Sequence, residues 1–179
     1  MTKFIVVVVT YLMSVICQAQ VSETRSLTKF SKIEVETGIQ LVFIESTTSS
    51  AVVEADDSER LNRIITKVEG NTLKIYIAKG KNRDRNNNFK LLKVTVSQNN
   101  VNSFHASSGA SISVTNDLNV SNVSITLDSG ADFRGNIKAE EVKLDLALEN
   151  TAWKGVLEYI FDNIKSERLK ICYDSGHDH

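Results

Sequence analysis

The chain has 179 residues, of which 41% are hydrophobic, and its 21 basic and 22 acidic side chains give a formal net charge of −1. This size and hydrophobic content are sufficient for one domain with a packed core, so we predict no second independent domain. The balanced charge argues against a nucleic-acid partner, which would require a basic surface.

The N-terminus has the layout of a secretory signal peptide. Lys3 gives it a basic start, and two apolar runs between Phe4 and Cys17 form a hydrophobic region that is too short for a comfortable membrane span. Cys17 and Ala19 are small residues at the two positions that signal peptidase recognises before a cut. Lipidation of Cys17 is the alternative, although Ile16 lies where a lipoprotein signal has a small residue.

We therefore predict that residues 1–19 are a cleaved signal peptide and that residues 20–179 form a single domain. No transmembrane span is expected after cleavage, and the protein is predicted to be extracytoplasmic, whether periplasmic, on the outer-membrane surface or secreted. Cys172 is then the one cysteine of the mature chain. An internal disulfide is thereby excluded, and the role of this thiol stays open.

The first half of the domain, residues 25–100, is predicted to be rich in hairpins. Apolar and polar residues alternate from Phe30 to Glu45 on both sides of Gly38, which indicates two half-buried strands with a turn or bulge at this glycine. Gly70 and Asn71 have the composition of a turn pair between two further strands.

A short helix accounts for an acidic cluster in this half. Asp56 and Glu59 have the spacing of a capping box, and apolar residues follow at helical intervals. This pattern predicts a helix from about Ser58 to Ile65.

A basic segment lies before the last strand of the first half. It contains Lys79, Lys81, Arg83 and Arg85 among polar residues. A solvated hairpin loop is the simpler interpretation, and contact with an anionic glycan or a lipid headgroup is the functional alternative.

The second half, residues 101–176, contains a repeated motif. Ser108-Gly109-Ala110 recurs 21 residues later as Ser129-Gly130-Ala131, and alternating apolar runs flank each copy. Four strands then align, with an inward ladder formed by Phe104, Ile125, Leu144 and Ile171. Asn150 and Gly176 fall at the turn positions of the third and fourth strands, and asparagine tolerates left-handed backbone. The layout predicts a small parallel β-solenoid, with residues 156–168 left open between a strand and a short helix.

The outward positions of the same strands gather carboxylates on one face. His105, Asp128, Asp145 and Asp174 form a candidate ligand face, beside which Trp153 is a candidate sugar platform. Glycoside hydrolysis requires at least two carboxyl groups, so a β-helix glycoside hydrolase or lyase is the enzymatic alternative. Exposed strand positions are ordinarily polar, however, so these side chains can also be explained as solvent-exposed residues that bind no ligand.

Several of these motifs together resemble a known family. They are Phe30–Val35, Gly38–Gln40, Val53–Asp56, Gly70–Ile75 and the Ser-Ser-Gly-Ala repeats. They are similar to the putative auto-transporter adhesin, head GIN domain family, which is common in Bacteroidota envelope proteins, over about residues 25–176. The resemblance implies a right-handed parallel β-helix after an antiparallel-leaning start, and an adhesion role without catalytic residues. Gln40 replaces an asparagine of the family pattern, and residues 149–152 replace a Ser-Gly-Ala.

We therefore predict an all-β fold, a right-handed parallel β-helix or solenoid with an antiparallel-leaning N-terminal strand region and one short helix. The predicted function is a non-enzymatic adhesion, binding or structural module of the cell envelope. Neither a cofactor nor a metal site is predicted, since His177 and His179 have no third ligand placed by spacing. A polysaccharide or another envelope protein is the predicted partner, and a homo-oligomer is compatible with the sequence.

The processed protein is expected to start near Gln20, because signal peptidase would cut after Ala19. The intact mass of protein purified from the cell envelope checks this expectation. A mass that retains residues 1–19, or that carries diacylglycerol on Cys17, would contradict it.

Overall fold

The computed structural model describes residues 20–78, 91–147 and 164–174 of the chain. These residues form strands joined by short turns, together with one helix, α1 (Ser58–Arg63). In chain order the strands are β1 (Val21–Ser26), β2 (Lys32–Val35), β3 (Gln40–Glu45), β4 (Ser50–Ala55), β5 (Ile64–Glu69), β6 (Thr72–Ile77), β7 (Leu92–Gln98), β8 (Ser103–Ala106), β9 (Ser111–Val114), β10 (Leu118–Leu127), β11 (Asp132–Arg134), β12 (Ile137–Ala147) and β13 (Ile164–Asp174).

The strands form two sheets that enclose one hydrophobic core. Sheet A has the order β1-β4-β7-β3-β9-β11, and sheet B has the order β13-β12-β10-β8-β2-β6-β5. In sheet A, β1 with β4 and β4 with β7 pair antiparallel, whereas the other neighbours pair parallel. In sheet B, β5 with β6 pairs antiparallel and the remaining neighbours pair parallel.

The prediction of an all-β chain with one short helix agrees with this architecture, but the prediction of a right-handed parallel β-helix or solenoid is wrong. Both sheets are mixed, and the described residues form no closed solenoid. The physical reason lies in the first hundred residues, where Gly70 at φ 59° helps reverse the chain between β5 and β6. In addition, β4 adds to sheet A antiparallel to both of its neighbours. A regular repeat is therefore confined to part of the chain.

Three short turns carry the chain from sheet B to sheet A. They connect β2 to β3, β8 to β9 and β10 to β11, and each contains two consecutive residues with positive φ. These pairs are Thr37 (63°) with Gly38 (65°), Ser108 (53°) with Gly109 (73°), and Ser129 (48°) with Gly130 (75°). We call these three pairs the corner turns. The other two turn positions inferred from the sequence, Asn150 and Gly176, lie outside the described residues.

Backbone hydrogen bonds stack the corner turns on one another. The amide of Gly38 donates to the carbonyl of Ser108 over 3.0 Å, and the amide of Gly109 donates to the carbonyl of Ser129 over 3.0 Å. The ladder between neighbouring strands thus continues through the turns, which pairs these backbone groups of the exposed corners.

The inward ladder predicted for the second half pairs in register. Phe104 lies opposite Ile125, Ile125 opposite Leu144, and Leu144 opposite Ile171. Phe104, Ile125 and Leu144 are at most 1% exposed. The spacing of the sequence therefore predicted strand pairing here correctly, although the overall fold class was wrong.

Aromatic contacts join the two sheets at the centre of the core. The ring of Phe104, from sheet B, meets the rings of Phe43 and Phe133, from sheet A, edge to face at centroid distances of 5.4 and 5.5 Å. Such pairs contribute about 0.5–1.5 kcal/mol each beyond the apolar area they bury. The same core holds one buried polar side chain among the described residues, Gln98, whose amide donates to the carbonyl of Phe30 over 3.0 Å.

The helix is shorter than predicted and has a different N-cap. Asp57 is the N-cap, and its carboxylate accepts a hydrogen bond of 2.8 Å from the amide of Arg60. Asp56, predicted to open a capping box, instead forms an ion pair with the Arg60 guanidinium. The helix ends at Arg63 because Ile64 already begins β5.

Substitutions at neighbouring positions of β10 test this packing. Ile125→Ala removes a side chain that is 1% exposed and is expected to destabilise the fold by about 2–5 kcal/mol, because a cavity remains. Thr126→Ala changes an outward position and is expected to stay within about 0.5 kcal/mol. Denaturant unfolding of the two variants measures both values. A larger loss for Thr126→Ala would show that the strand faces are assigned the wrong way round.

Candidate ligand-binding face

The outer face of sheet B brings polar side chains from five neighbouring strands into one row. Side chains alternate between the two faces of a strand, so the positions between buried residues point to solvent. In register across β6, β2, β8, β10 and β12, this central row consists of Lys74, Glu34, His105, Thr126 and Asp145. His105 and Asp145, two residues of the predicted ligand face, are thus two strands apart.

The predicted carboxylates have partners close to them in the chain. Asp145 forms an ion pair of 2.8 Å with Lys143 of the same strand. Asp128, which follows β10 at a corner turn, accepts a hydrogen bond of 2.6 Å from the Ser129 hydroxyl. This arrangement fixes each carboxylate separately and does not favour the acid and nucleophile pair of a glycoside hydrolase.

The remaining predicted positions are distributed as follows. Asp174 lies at the end of β13, opposite Ala147 of β12 in the register of sheet B. Trp153 and the basic segment with Lys79, Lys81, Arg83 and Arg85 lie outside the described residues, as do His177 and His179.

A groove that the sequence analysis did not identify lies two residues before the central row in each strand. It has a volume of about 370 Å³ and is lined by Lys32, Asn102, Ser103, Asn122, Val123, Ser124, Glu141 and Lys143. We call it the Lys32–Lys143 groove. Lys32, Ser103, Ser124 and Lys143 occupy matching positions on β2, β8, β10 and β12. The spacing that aligns β8, β10 and β12 in the sequence also aligns Ser103, Ser124 and Lys143, whereas no repeat in the sequence places Lys32 beside them.

The charged groups of the groove differ in how they are paired. Lys32 is exposed and has no ion pair in the part of the chain that the structure describes. The ammonium of Lys143 contacts Asp145, and this Lys143 side chain is 49% exposed. On the opposite wall, the Asn122 amide donates to a carboxylate oxygen of Glu141 over 3.3 Å. The groove therefore offers ammonium, hydroxyl, amide and carboxylate groups within one surface.

A second depression lies near the β5–β6 edge of sheet B. It has a volume of about 330 Å³ and is lined by Glu34, Glu36, Glu69, Lys74, Ile75 and Tyr76. Glu69 contacts Lys67 at 2.8 Å and Lys74 at 3.0 Å. Hydrogen bonds from Lys67 and Lys74 lower the pKa of Glu69 to about 2. Within the described ranges, His, Cys, Asp and Glu side chains form no cluster of three that could hold a metal ion.

Across the described part of the chain, none of the helices has the length and apolar character needed to cross a bilayer.

Comparison with known proteins identifies a family and a fold. A family model described as "Putative auto-transporter adhesin, head GIN domain" matches residues 29–153, which confirms the resemblance drawn from the sequence. No curated protein sequence matches the chain.

Solved structures with a similar fold include proteins from Bacteroides and Parabacteroides species. A putative adhesin from Bacteroides fragilis NCTC 9343 has a TM-score of 0.64 at 19% identity, over 87% of this chain and 77% of that protein. A putative lipid binding protein from Parabacteroides distasonis ATCC 8503 has a TM-score of 0.61 at 17% identity, over 85% of this chain and 59% of that protein. A putative adhesin from Parabacteroides merdae ATCC 43184 has a TM-score of 0.60 at 11% identity, over 86% and 77%. At these identities the similarity establishes the fold alone.

The titration of Glu69 tests the electrostatics of this face. Its pKa is lowered from 4.5 to about 2, so the stability that its ion pairs contribute is present above pH 4.5 and is lost as the pH falls towards 2. A carboxyl NMR titration should give a midpoint of about 2, and Lys67→Gln or Lys74→Gln should each raise it. A midpoint near 4.5 in the unaltered protein would mean that these contacts do not persist in solution.

Proposed function

Because the chain belongs to the putative auto-transporter adhesin, head GIN domain family, we propose that it is a non-enzymatic adhesion or binding module of the cell envelope. The outer face of sheet B, and the Lys32–Lys143 groove within it, is the proposed binding surface. A polysaccharide or another envelope protein is the proposed partner.

The observation that carries this proposal is the in-register array on β2, β8, β10 and β12. These four strands pair parallel to one another, so equivalent side chains repeat about every 4.8 Å across the strands. A regular array on a rigid sheet favours contact with an extended or repeating partner, because many weak contacts are made together without reordering the backbone.

Among the described residues, the two carboxylates considered for catalysis are already held by neighbouring side chains. Asp145 is engaged by Lys143 and Asp128 by Ser129, so neither carboxylate is placed as a free nucleophile or general acid. The groove is also open, and an enzyme usually excludes water from its reacting groups. These properties favour binding without chemical conversion.

Export is part of the proposal. The predicted signal peptide over residues 1–19 would place the module outside the cytoplasm, where a family of envelope adhesins would act. We propose an extracytoplasmic location, either in the periplasm, at the outer-membrane surface or in the secreted fraction.

A pair of matched leucine variants tests the binding surface. Ser124→Leu places a bulkier, uncharged side chain in the groove, whereas Thr95→Leu places the same side chain on the outer face of sheet A. The purified protein is applied to arrays of envelope and host polysaccharides and to isolated cell envelopes. Binding is expected to fall at least about tenfold for Ser124→Leu and to persist for Thr95→Leu, because steric exclusion removes contacts at only one face. Equal binding by both variants would contradict the assignment to sheet B.

Product release is measured in the same samples. The proposal expects no new reducing ends or unsaturated sugars. Their appearance, and their loss in Asp128→Asn or Asp145→Asn, would instead establish a carbohydrate-cleaving enzyme.

A further inference from the structure

We infer that the Lys32–Lys143 groove binds an acidic polysaccharide whose chain runs across the strands, an inference that rests on the proposed binding function. The sugar carboxylates meet the two lysines at the ends of the groove, and the sugar hydroxyls meet the serine, asparagine and glutamate side chains between and beside them.

The charge at the two ends selects an anionic ligand. Lys32 is exposed and unpaired within the described residues, so a ligand carboxylate gains a contact there without breaking an existing one. At the other end, the Lys143–Asp145 pair is partly exposed to solvent, with side chains 49% and 30% accessible. Ion pairs near the surface are weak, so the contact with Asp145 does not prevent the Lys143 ammonium from also meeting a ligand carboxylate.

The spacing along the groove selects a polymer. Lys32, Ser103, Ser124 and Lys143 lie on four neighbouring strands in register. Three strand spacings place the two lysine positions roughly 14 Å apart. One strand spacing is about 4.8 Å, which is close to the length of one pyranose residue in an extended polysaccharide. Four consecutive sugars are therefore needed to contact both lysines, and the two inner sugars lie over Ser103 and Ser124.

The second wall of the groove supplies groups for sugar hydroxyls. Asn102, Asn122 and Glu141 line this wall, and Glu141 holds the Asn122 amide through a hydrogen bond of 3.3 Å. Amide and carboxylate groups both accept hydrogen bonds from hydroxyls, and the amides donate as well. Glu141 is the one acidic residue among the described residues that line the groove.

The lining disfavours a lipid. Among the described residues that line the groove, Val123 is the one apolar residue, and it is only 3% exposed. Pockets for acyl chains are mainly apolar and enclose most of their ligand, whereas this groove is polar and open. Charge and hydroxyl recognition therefore favour the polysaccharide over a phospholipid.

The experiment compares polygalacturonate with its methyl ester, which has the same backbone without the charge. We expect the purified protein to bind polygalacturonate, and to bind it less as ionic strength rises, because salt screens contacts between exposed charges. Galacturonate oligomers should show a step in affinity between three and four sugars. Lys32→Gln and Lys143→Gln should each weaken binding of the tetramer by about three- to tenfold and remove this step.

Lys93→Gln is the matched control, because it removes the same charge from the outer face of sheet A, where Lys93 pairs with Glu54. This variant should bind polygalacturonate as the unaltered protein does. Thermal unfolding of all three variants establishes that each is folded before binding is measured.

The other outcomes separate this inference from the proposed function. Equal binding of polygalacturonate and its methyl ester would overturn the charge assignment and leave the proposed binding module in place. Binding to phosphatidylglycerol vesicles without binding to either polymer would overturn the polysaccharide in favour of a lipid surface. Failure to bind any polysaccharide, vesicle or cell envelope would overturn both.

Discussion

The corner turns are the constraint on which the rest of the structure depends. Each passes the chain from sheet B to sheet A through two residues with positive φ. The amides of Gly38 and Gly109 donate hydrogen bonds to the carbonyls of Ser108 and Ser129 in the neighbouring turns. Thr37 adopts positive φ in its corner turn although the residue type disfavours it. Left-handed backbone costs a residue with a side chain about 1–2 kcal/mol, and a β-branched residue is especially disfavoured there. The cost is offset because a slipped turn would break the stacked hydrogen bonds and misplace the strands on both sides.

The corner turns also set which side chains face the core and which face solvent. Because side chains alternate along a strand, moving one strand by a single residue would exchange its two faces. Phe104 would then leave its contacts with Phe43 and Phe133, and His105 would enter the core. Aromatic packing and turn geometry thus specify the same register. The outer rows of sheet B, including the Lys32–Lys143 groove, follow from that register.

Some of these features could be predicted from the sequence and others could not, because some depend on local patterns and others on contacts between distant parts of the chain. The repeated Ser-Gly-Ala motif and the alternation around Phe104, Ile125 and Leu144 are local, and they correctly predict how β8, β10 and β12 pair. The direction of β4 depends on contacts between distant parts of the chain, because its neighbours are β1 and β7 and no sequence repeat marks this pairing. The groove was missed for another reason. Its two central residues, Ser103 and Ser124, are neutral, whereas the candidate ligand face was chosen for its carboxylates.

The row that contains the groove limits where a bound polyanion extends. Beyond Lys32 the row continues to Thr72 on β6 and Glu69 on β5. Glu69 is neutralised by Lys67 and Lys74, so this end adds no unpaired cation. Within the described residues, Lys32 is thus the outermost unpaired cation of the row on this side. A polyanion longer than the groove therefore gains no charge complementarity towards β5.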